Sequence, residues 1–203
     1  MKYSTDWFSR HTAIWEQVLS EFKDKPIKAL ELGSYEGRSS VWMLENILTH
    51  PHATLRCVDF WGAAVPFVDG HDVDWKQVRE SFYNNIKDFG DKVSVAEMKS
   101  ADYMLEHHNE RFDLIYVDAD HSAASCLTDA VLAHHLLNPG GIIIFDDYLW
   151  SGLTKMPDVC KGAIDAFMEC YSEEYIVRCI GYQVFLEKKQ KNEHKTQAVG
   201  QSV

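Results

Sequence analysis

FDLIYVDADHSAASCLTDAVLAHHLLNPGGIIIFDDY, residues 112–148, is the stretch that decides the fold. It opens on an apolar, strand-like run, Phe112 to Val117, that ends in Asp118-Ala119-Asp120-His121. A helical stretch from Ser122 to Leu137 follows. It stops at Asn138-Pro139-Gly140-Gly141, where proline lacks an amide hydrogen and glycine favours a left-handed turn. Ile142 to Phe145 is apolar at every position, as in a strand covered by helices on both faces, and it ends in Asp146-Asp147. Strand, helix and strand in that order make a right-handed crossover between parallel strands. Parallel strands end on the same edge of a sheet, so topology brings Asp118, Asp146 and Asp147 together although they are distant in sequence.

The same alternation extends in both directions. Strands are expected at Ile27–Leu32, Thr54–Phe60 and Val93–Met98, with helices at Arg38–Thr49, Asp74–Phe89 and Ala101–His108. After the quoted stretch, a helix is expected over Asp158–Tyr171. Two closing strands follow, Tyr175–Cys179 and Tyr182–Leu186, with Gly181 as the turn between them. No helix separates those last two strands, so they form an antiparallel hairpin. The expected fold class is α/β, a doubly wound, Rossmann-like, mostly parallel seven-stranded sheet with a C-terminal antiparallel hairpin. Residues 1–24 hold an amphipathic helix, Asp6–Phe22, started by Thr5 or Asp6 and packed on the domain through Phe8, Trp15, Val18, Leu19 and Phe22. Residues 25–187 form the domain itself, and 188–203 read as a disordered polar tail.

Ligands of such sheets bind outside the carboxyl ends of the strands, at the point where strand order reverses. The first strand-to-helix turn is Glu31-Leu32-Gly33-Ser34-Tyr35-Glu36-Gly37-Arg38-Ser39-Ser40. Gly33 lets the chain turn sharply and a ligand approach the backbone, and Gly37 does so where the helix begins. Free N–H groups at that helix start favour a carboxylate. Tyr35 stands where a dinucleotide fingerprint has its second glycine, which disfavours a pyrophosphate. At the acidic edge, several clustered carboxylates need a cation or protons to neutralise them, and oxygen ligands suit Mg²⁺, Ca²⁺ or Mn²⁺. The alternative roles are a substrate hydrogen bond for Asp118 and turn capping for Asp146 or Asp147.

The pattern Glu31-x-Gly33-x-x-x-Gly37 resembles the first motif of class I S-adenosylmethionine-dependent methyltransferases, whose sheets also finish in a hairpin. The segment from Asp118 to Tyr148 resembles the small methyltransferases grouped as methyltransferase family 24. It is more distantly similar to macrocin-type sugar O-methyltransferases and catechol O-methyltransferase. The resemblance spans Ile27 to Leu186. It implies S-adenosyl-L-methionine as cofactor, with Glu31, Gly33 and Ser34 along its methionine half and Tyr35, Gly37 and Ser39 nearby. It implies Asp59 on the ribose, Phe60 and Trp61 flanking the adenine, and Ser100 at the adenine edge; core packing suits Trp61 equally. Asp118, Asp146 and Asp147 would hold Mg²⁺ or another hard divalent cation, with Asp118 also serving catalysis. Catechol O-methyltransferase carries asparagine where this chain has Asp147. His121 falls where that enzyme has a lysine base, and an imidazole takes a hydroxyl proton near neutral pH; capping the next helix is its rival role. Asp129 reads as a solvated helix charge or as a group orienting His121.

Composition narrows the partners. The chain of 203 residues carries 20 Lys and Arg against 31 Asp and Glu, a net charge of -11, which disfavours nucleic acid and anionic membranes. Five scattered cysteines without a C-x-x-C pair, together with no apolar leader, suit a reduced, cytoplasmic protein. The expected acceptor is a small hydroxylated molecule, a sugar or a catechol-like phenol, and the resemblance allows a homo-oligomer. Rival readings are a non-catalytic cofactor-binding scaffold and a metal-dependent hydroxylase-like protein of the same fold.

Overall fold

The structure, a computed structural model, describes residues 1–62, 67–68, 71–150 and 160–190. Its strands are β1 (Lys28–Leu32), β2 (Thr54–Val58), β3 (Phe67–Val68), β4 (His71–Asp72), β5 (Val93–Ala96), β6 (Phe112–Val117), β7 (Leu137–Phe145), β8 (Tyr175–Ile180) and β9 (Val184–Lys188). Its helices are α1 (Thr12–Leu19), α2 (Arg38–Asn46), α3 (Trp75–Ile86), α4 (Ser100–Glu106), α5 (Ala123–Leu136) and α6 (Cys160–Cys170). Seven strands form one sheet in the order β5-β2-β1-β6-β7-β9-β8, while β3 and β4 pair as a separate antiparallel ribbon. The first five run parallel and β9 is antiparallel to both neighbours, as the sequence pattern requires. Strand order reverses between β1 and β6, so the ligand crevice lies over those two strand ends.

Two apolar layers cover the sheet. One holds Trp15, Met43, Leu55 and Phe82; the other holds Tyr103, Ile143, Ile164 and Phe167. Leu114, Tyr116, Ile142 and Ile144 face the first layer, and Ile115, Val117, Ile143 and Phe145 face the second. This division follows from the two-residue period of a strand.

The structure departs from the sequence reading at several boundaries. The single N-terminal helix is α1 flanked by 3₁₀ turns at Ser9–His11 and Ser20–Phe22. Thr12 and Ser20 bond back to the Ser9 and Gln17 carbonyls, so hydroxyls compete with the helix ladder. Asp6 accepts from the Ser9 amide at 2.9 Å, which caps the entry. The breaker Asn138 to Gly141 becomes a bulge inside β7. Phe112 pairs with Leu137 and Leu114 with Ile142, so those four residues face Asp113 alone, with Gly140 at φ 80°. Tyr182 and Gln183, expected in a strand, lie in the turn between β8 and β9. The expected tail begins later than Lys188. That residue closes β9, and its Nζ donates to the His134 and Leu137 carbonyls. The rest of that segment, 191–203, lies outside the described residues, as do 63–66, 69–70 and 151–159 of the loops expected to flank the site. Asp158, the expected start of α6, falls there too.

Trp15 fastens the N-terminal segment to the sheet. It is fully buried, meets Tyr116 edge-on at 4.8 Å and Phe8 at 4.9 Å, and its indole N–H donates to Gln183 Oε1 at 2.7 Å. Replacing Trp15 by alanine is expected to lower the unfolding free energy by about 3–5 kcal/mol, read from urea denaturation of both proteins.

Candidate active site

The strand edge at β1, β2, β6 and β7 opens into a cavity of about 910 Å³, at the upper end of the range for small-molecule sites. Gly33 follows β1 at φ 85°, and a β-carbon there would stand 1.8 Å from the Asp118 carbonyl oxygen. The turn after β1 is thus packed backbone to backbone against the turn after β6. Gly37 adopts φ 80°, and a β-carbon there would press the Phe82 ring at 2.9 Å.

Asp59, just past β2, braces this turn. Its Oδ2 accepts the amides of Ser34 at 2.9 Å and Tyr35 at 3.0 Å, and its Oδ1 accepts that of Trp61 at 2.8 Å. Tyr35 and Trp61 both have positive φ, 48° and 42°, an uncommon conformation for bulky residues that the carboxylate holds in place. Burial pushes the Asp59 carboxyl up, against the pull of these amides. A carboxylate has about four lone-pair sites, so roughly one remains for a ligand hydroxyl.

Glu31 lies below the turn and does not line the cavity. The hydroxyls of Ser34, Ser39 and Ser40 donate to it, at 2.8 Å from Ser34 and 2.5 Å from Ser39, and the Cys57 thiol lies 3.4 Å away. Burial raises its carboxyl, and the hydroxyls oppose the rise. Ser34, Tyr35, Ser39, Phe60 and Ser100 do line the cavity, with Gly33 and Asp59. Trp61 instead packs on Phe82 at 4.9 Å, and its indole donates to the Tyr35 carbonyl at 2.8 Å.

The acidic edge assembles as its strand positions require. Asp118, Asp146 and Asp147 line the same cavity as the glycine turn. Their surroundings differ. Asp146 accepts three donors: Tyr116 and Gln183 donate to Oδ2, and the Asp147 amide donates to Oδ1 at 2.7 Å. The same Tyr116 hydroxyl, with one proton to share between the two acids, lies 3.0 Å from Asp118. Asp147, at φ 55°, accepts from Tyr182 at 2.9 Å and meets His121 Nδ1 at 2.8 Å. Burial and the Asp146 and Asp147 charges raise the Asp118 carboxyl far above the usual range. Burial alone would depress the His121 imidazole, but its contact with Asp147, with help from Cys160, pushes it up to about 10. Among the described residues, Asp118, His121 and Asp147 present metal-capable atoms all within 4.8 Å of one another. That group includes His121, which the sequence reading gave as a base, and leaves out Asp146.

Several partners escaped the sequence reading. Tyr116 sits two residues before Asp118 and so shares its strand face, a signal that was present. Tyr182 and Gln183 reach the site only because the hairpin turn comes to the acidic edge. Asp129 is buried rather than solvated, with both oxygens on Ser100 Oγ at 2.9 and 2.7 Å. The indole nitrogen of Trp75 and Nε of Arg38 are buried without a hydrogen-bond partner, and both residues line the cavity.

This sheet order and this strand-end site define a class I methyltransferase domain. Residues 30–148, more than half of the chain, match a family described as a methyltransferase domain, methyltransferase family 24; the chain belongs to that family. An uncharacterized protein of Acanthamoeba polyphaga mimivirus is 27% identical over 172 residues, covering 81% of this chain and 72% of its own length. The O-methyltransferase from Bacillus cereus in complex with SAH superposes with a TM-score of 0.66 at 17% identity, covering 92% of this chain and 84% of that one. TomG from Streptomyces achromogenes, an O-methyltransferase in complex with SAM, gives 0.65 at 14% identity, covering 92% and 82%. MycE, a methyltransferase of the mycinamycin biosynthetic pathway in complex with Mg and SAH, gives 0.62 at 12% identity, covering 93% of this chain and 52% of that one. At these identities the structures establish the shared fold. No helix among the described residues is long and apolar enough to cross a membrane.

Two outcomes follow from this packing. Gly33→Ala is expected to abolish the folded turn, read as loss of cooperative unfolding or of soluble protein. Burial raises the Asp129 carboxyl to about 6, with Ser100 opposing, so the fold favours its protonated form. The sign is that of a raised acid: its charged form destabilises at neutral pH, and stability is regained as pH falls through 6 toward the unfolded value. The stability of wild type relative to Asp129→Asn should therefore rise by about 1 kcal/mol between pH 7 and pH 5 in paired denaturant titrations.

Proposed function

We propose that this chain is an S-adenosylmethionine-dependent O-methyltransferase that uses a divalent cation and acts on a hydroxyl of a small polyhydroxylated molecule, a sugar or a catechol-like phenol. The observation that carries this reading is the shared cavity: the glycine turn and the acidic edge open into the same space. The cofactor fits the residues present. Ser34 and Ser39 suit the methionine half, Asp59 has capacity left for a ribose hydroxyl, and Phe60 and Ser100 on the same cavity wall suit the adenine. A cation fits Asp118 and Asp147, whose oxygens are less occupied than those of Asp146; oxygen ligands suit Mg²⁺, and MycE, in complex with Mg, supports that choice of ion.

When bound, the cofactor supplies a methyl group on a sulfonium sulfur, and the cation supplies positive charge beside the acceptor oxygen. The chain's residues do the rest. Asp147 holds the His121 ring through Nδ1 and leaves Nε2 as the nitrogen available to the acceptor. A cation on Asp147 would weaken that pull and favour the neutral ring, whose Nε2 would then accept the proton of the acceptor hydroxyl. The cofactor would supply an electrophilic methyl group with its sulfur as leaving group, and the cavity walls would hold the acceptor oxygen beside it. Trp7, Trp150 and Tyr182 on the cavity wall exclude water and offer flat surfaces to the acceptor. Arg10, stacked on Tyr182 at 4.2 Å, adds a cationic rim.

The test is turnover of methyl-labelled cofactor with a panel of catechols and sugars. Methylated product should stop on chelation and return with Mg²⁺ or Mn²⁺. His121→Ala should lower kcat by about 10²–10⁴-fold with cofactor affinity unchanged. Turnover indifferent to chelation would remove the cation, and oxidised rather than methylated product would replace the reaction.

A further inference from the structure

Arg10 stands on the cavity wall together with Trp7, three residues before it in the N-terminal segment. Its chain neighbours fix its backbone. Phe8 and His11 are buried, Phe8 against Trp15 at 4.9 Å and His11 stacked on Tyr182 at 5.2 Å. Arg10 itself is exposed. Its Nε donates to His11 Nε2 at 2.9 Å, and its guanidinium carbon lies 4.2 Å over the Tyr182 ring. Stacking uses the face of a guanidinium and leaves its edge for hydrogen bonds. Arg38, the other arginine of the cavity wall, is paired with Asp6 at 3.3 Å. Arg10 has no ion pair among the described residues, although the chain carries a net charge of -11. A positioned cation facing the site without a protein carboxylate is suited to an anionic ligand.

The Tyr182 ring connects this cation to the acidic edge. Its hydroxyl donates to Asp147 Oδ1 at 2.9 Å, and Asp147 in turn meets His121. Arg10 is therefore no further from the Asp147 carboxylate than a stacking distance, half a phenol and one hydrogen bond. One small aromatic acid has that length. We propose that Arg10 is a specificity-determining residue that pairs with a carboxylate on the methyl acceptor, at the end opposite the reacting hydroxyl. It rests on the methyltransferase reading above and narrows the acceptor to a hydroxylated aromatic acid. Trp7, Trp150 and Tyr182 offer flat surfaces to the ring, and the planar fork of Arg10 matches a carboxylate. A neutral sugar or catechol leaves Arg10 unused. A sugar phosphate brings the same kind of charge without the flat ring.

The test is calorimetric titration of protocatechuate, a catechol bearing a carboxylate, and of its carboxamide, which has nearly the same shape without the charge. Both are titrated into the protein in the presence of S-adenosylhomocysteine and Mg²⁺. Wild type is expected to bind the acid about tenfold more tightly, the lower end of the range for a charged hydrogen bond because Arg10 is exposed. Arg10→Gln should bring the two affinities together, and Arg10→Glu should favour the carboxamide. Arg10→Lys keeps the charge without the planar fork and should restore the preference in part. Methyl transfer to the two probes should follow the same ranking in kcat/KM. Equal binding of acid and carboxamide by wild type overturns the proposal, as does binding of neither or a preference that survives Arg10→Gln. A sugar phosphate bound more tightly than both probes overturns the aromatic acid. An Arg10-dependent preference for the acid, with no methyl transfer to any acceptor, supports the subsite and overturns the methyltransferase reading instead.

Discussion

The carboxylate of Asp59 is the constraint on which the site depends. Three backbone amides converge on it: two from the turn after β1 and one from the turn after β2. That acceptor favours the positive φ of Tyr35 and Trp61, which the Trp61 indole and Phe82 also help to hold. Without it, the glycine turn would lose the shape that opens the cavity. Asp59 is half-buried, so the protein around it works against its charge, and the amides work for it. A strained turn held by a half-buried acid is a stiff cradle, and stiffness is what a site needs to position a reacting methyl group within a fraction of an ångström.

The second organising feature is the crowding of acids at the ends of β6 and β7. Parallel strand ends force Asp118, Asp146 and Asp147 together, and the fold manages the resulting repulsion in two ways. Asp146 is quenched by protein donors from Tyr116 and Gln183, both tied to Trp15 and the hairpin turn. Asp147 is compensated by His121. Asp118 is left with a share of the Tyr116 hydroxyl, beside two other acids. The division explains why the convergent metal-capable group is Asp118, His121 and Asp147 rather than the three aspartates. It also makes the N-terminal segment part of the active site. Trp15 positions Gln183, while Trp7, Arg10 and Arg38 stand on the cavity wall.

The alternation of strands and helices, the crossover direction, the closing hairpin and the placement of the acids were legible in the sequence because they follow from periodicity and topology. A run such as Ile142 to Phe145 permits little besides a doubly covered strand. Asp59 was legible too, as the acid ending the second strand, although its bracing of the turn was not. What escaped depends on side-chain direction. Glu31 reads as a ligand residue, but the serines at 34, 39 and 40 enclose it beneath the turn. Trp61 is equally at home in the core or on an adenine, and Phe82 decides for the core. Tyr182 and Gln183 carry strand-like spacing, and only the hairpin's actual turn aims them at the acids. Asp129 sits on an apparently solvated helix, and its burial arises from α4 crossing over it, a contact between elements far apart in sequence.

Since Asp59 shapes the turn and has capacity left for a ribose hydroxyl, its substitution tests the account most directly. Calorimetric titration of S-adenosylmethionine into wild type and into Asp59→Asn, with folding of both confirmed by their unfolding curves, is the measurement. Saturable binding by wild type and at least about tenfold weaker binding by the variant are predicted. A wild type that shows no binding at millimolar cofactor, or a folded variant that binds as tightly, would contradict it.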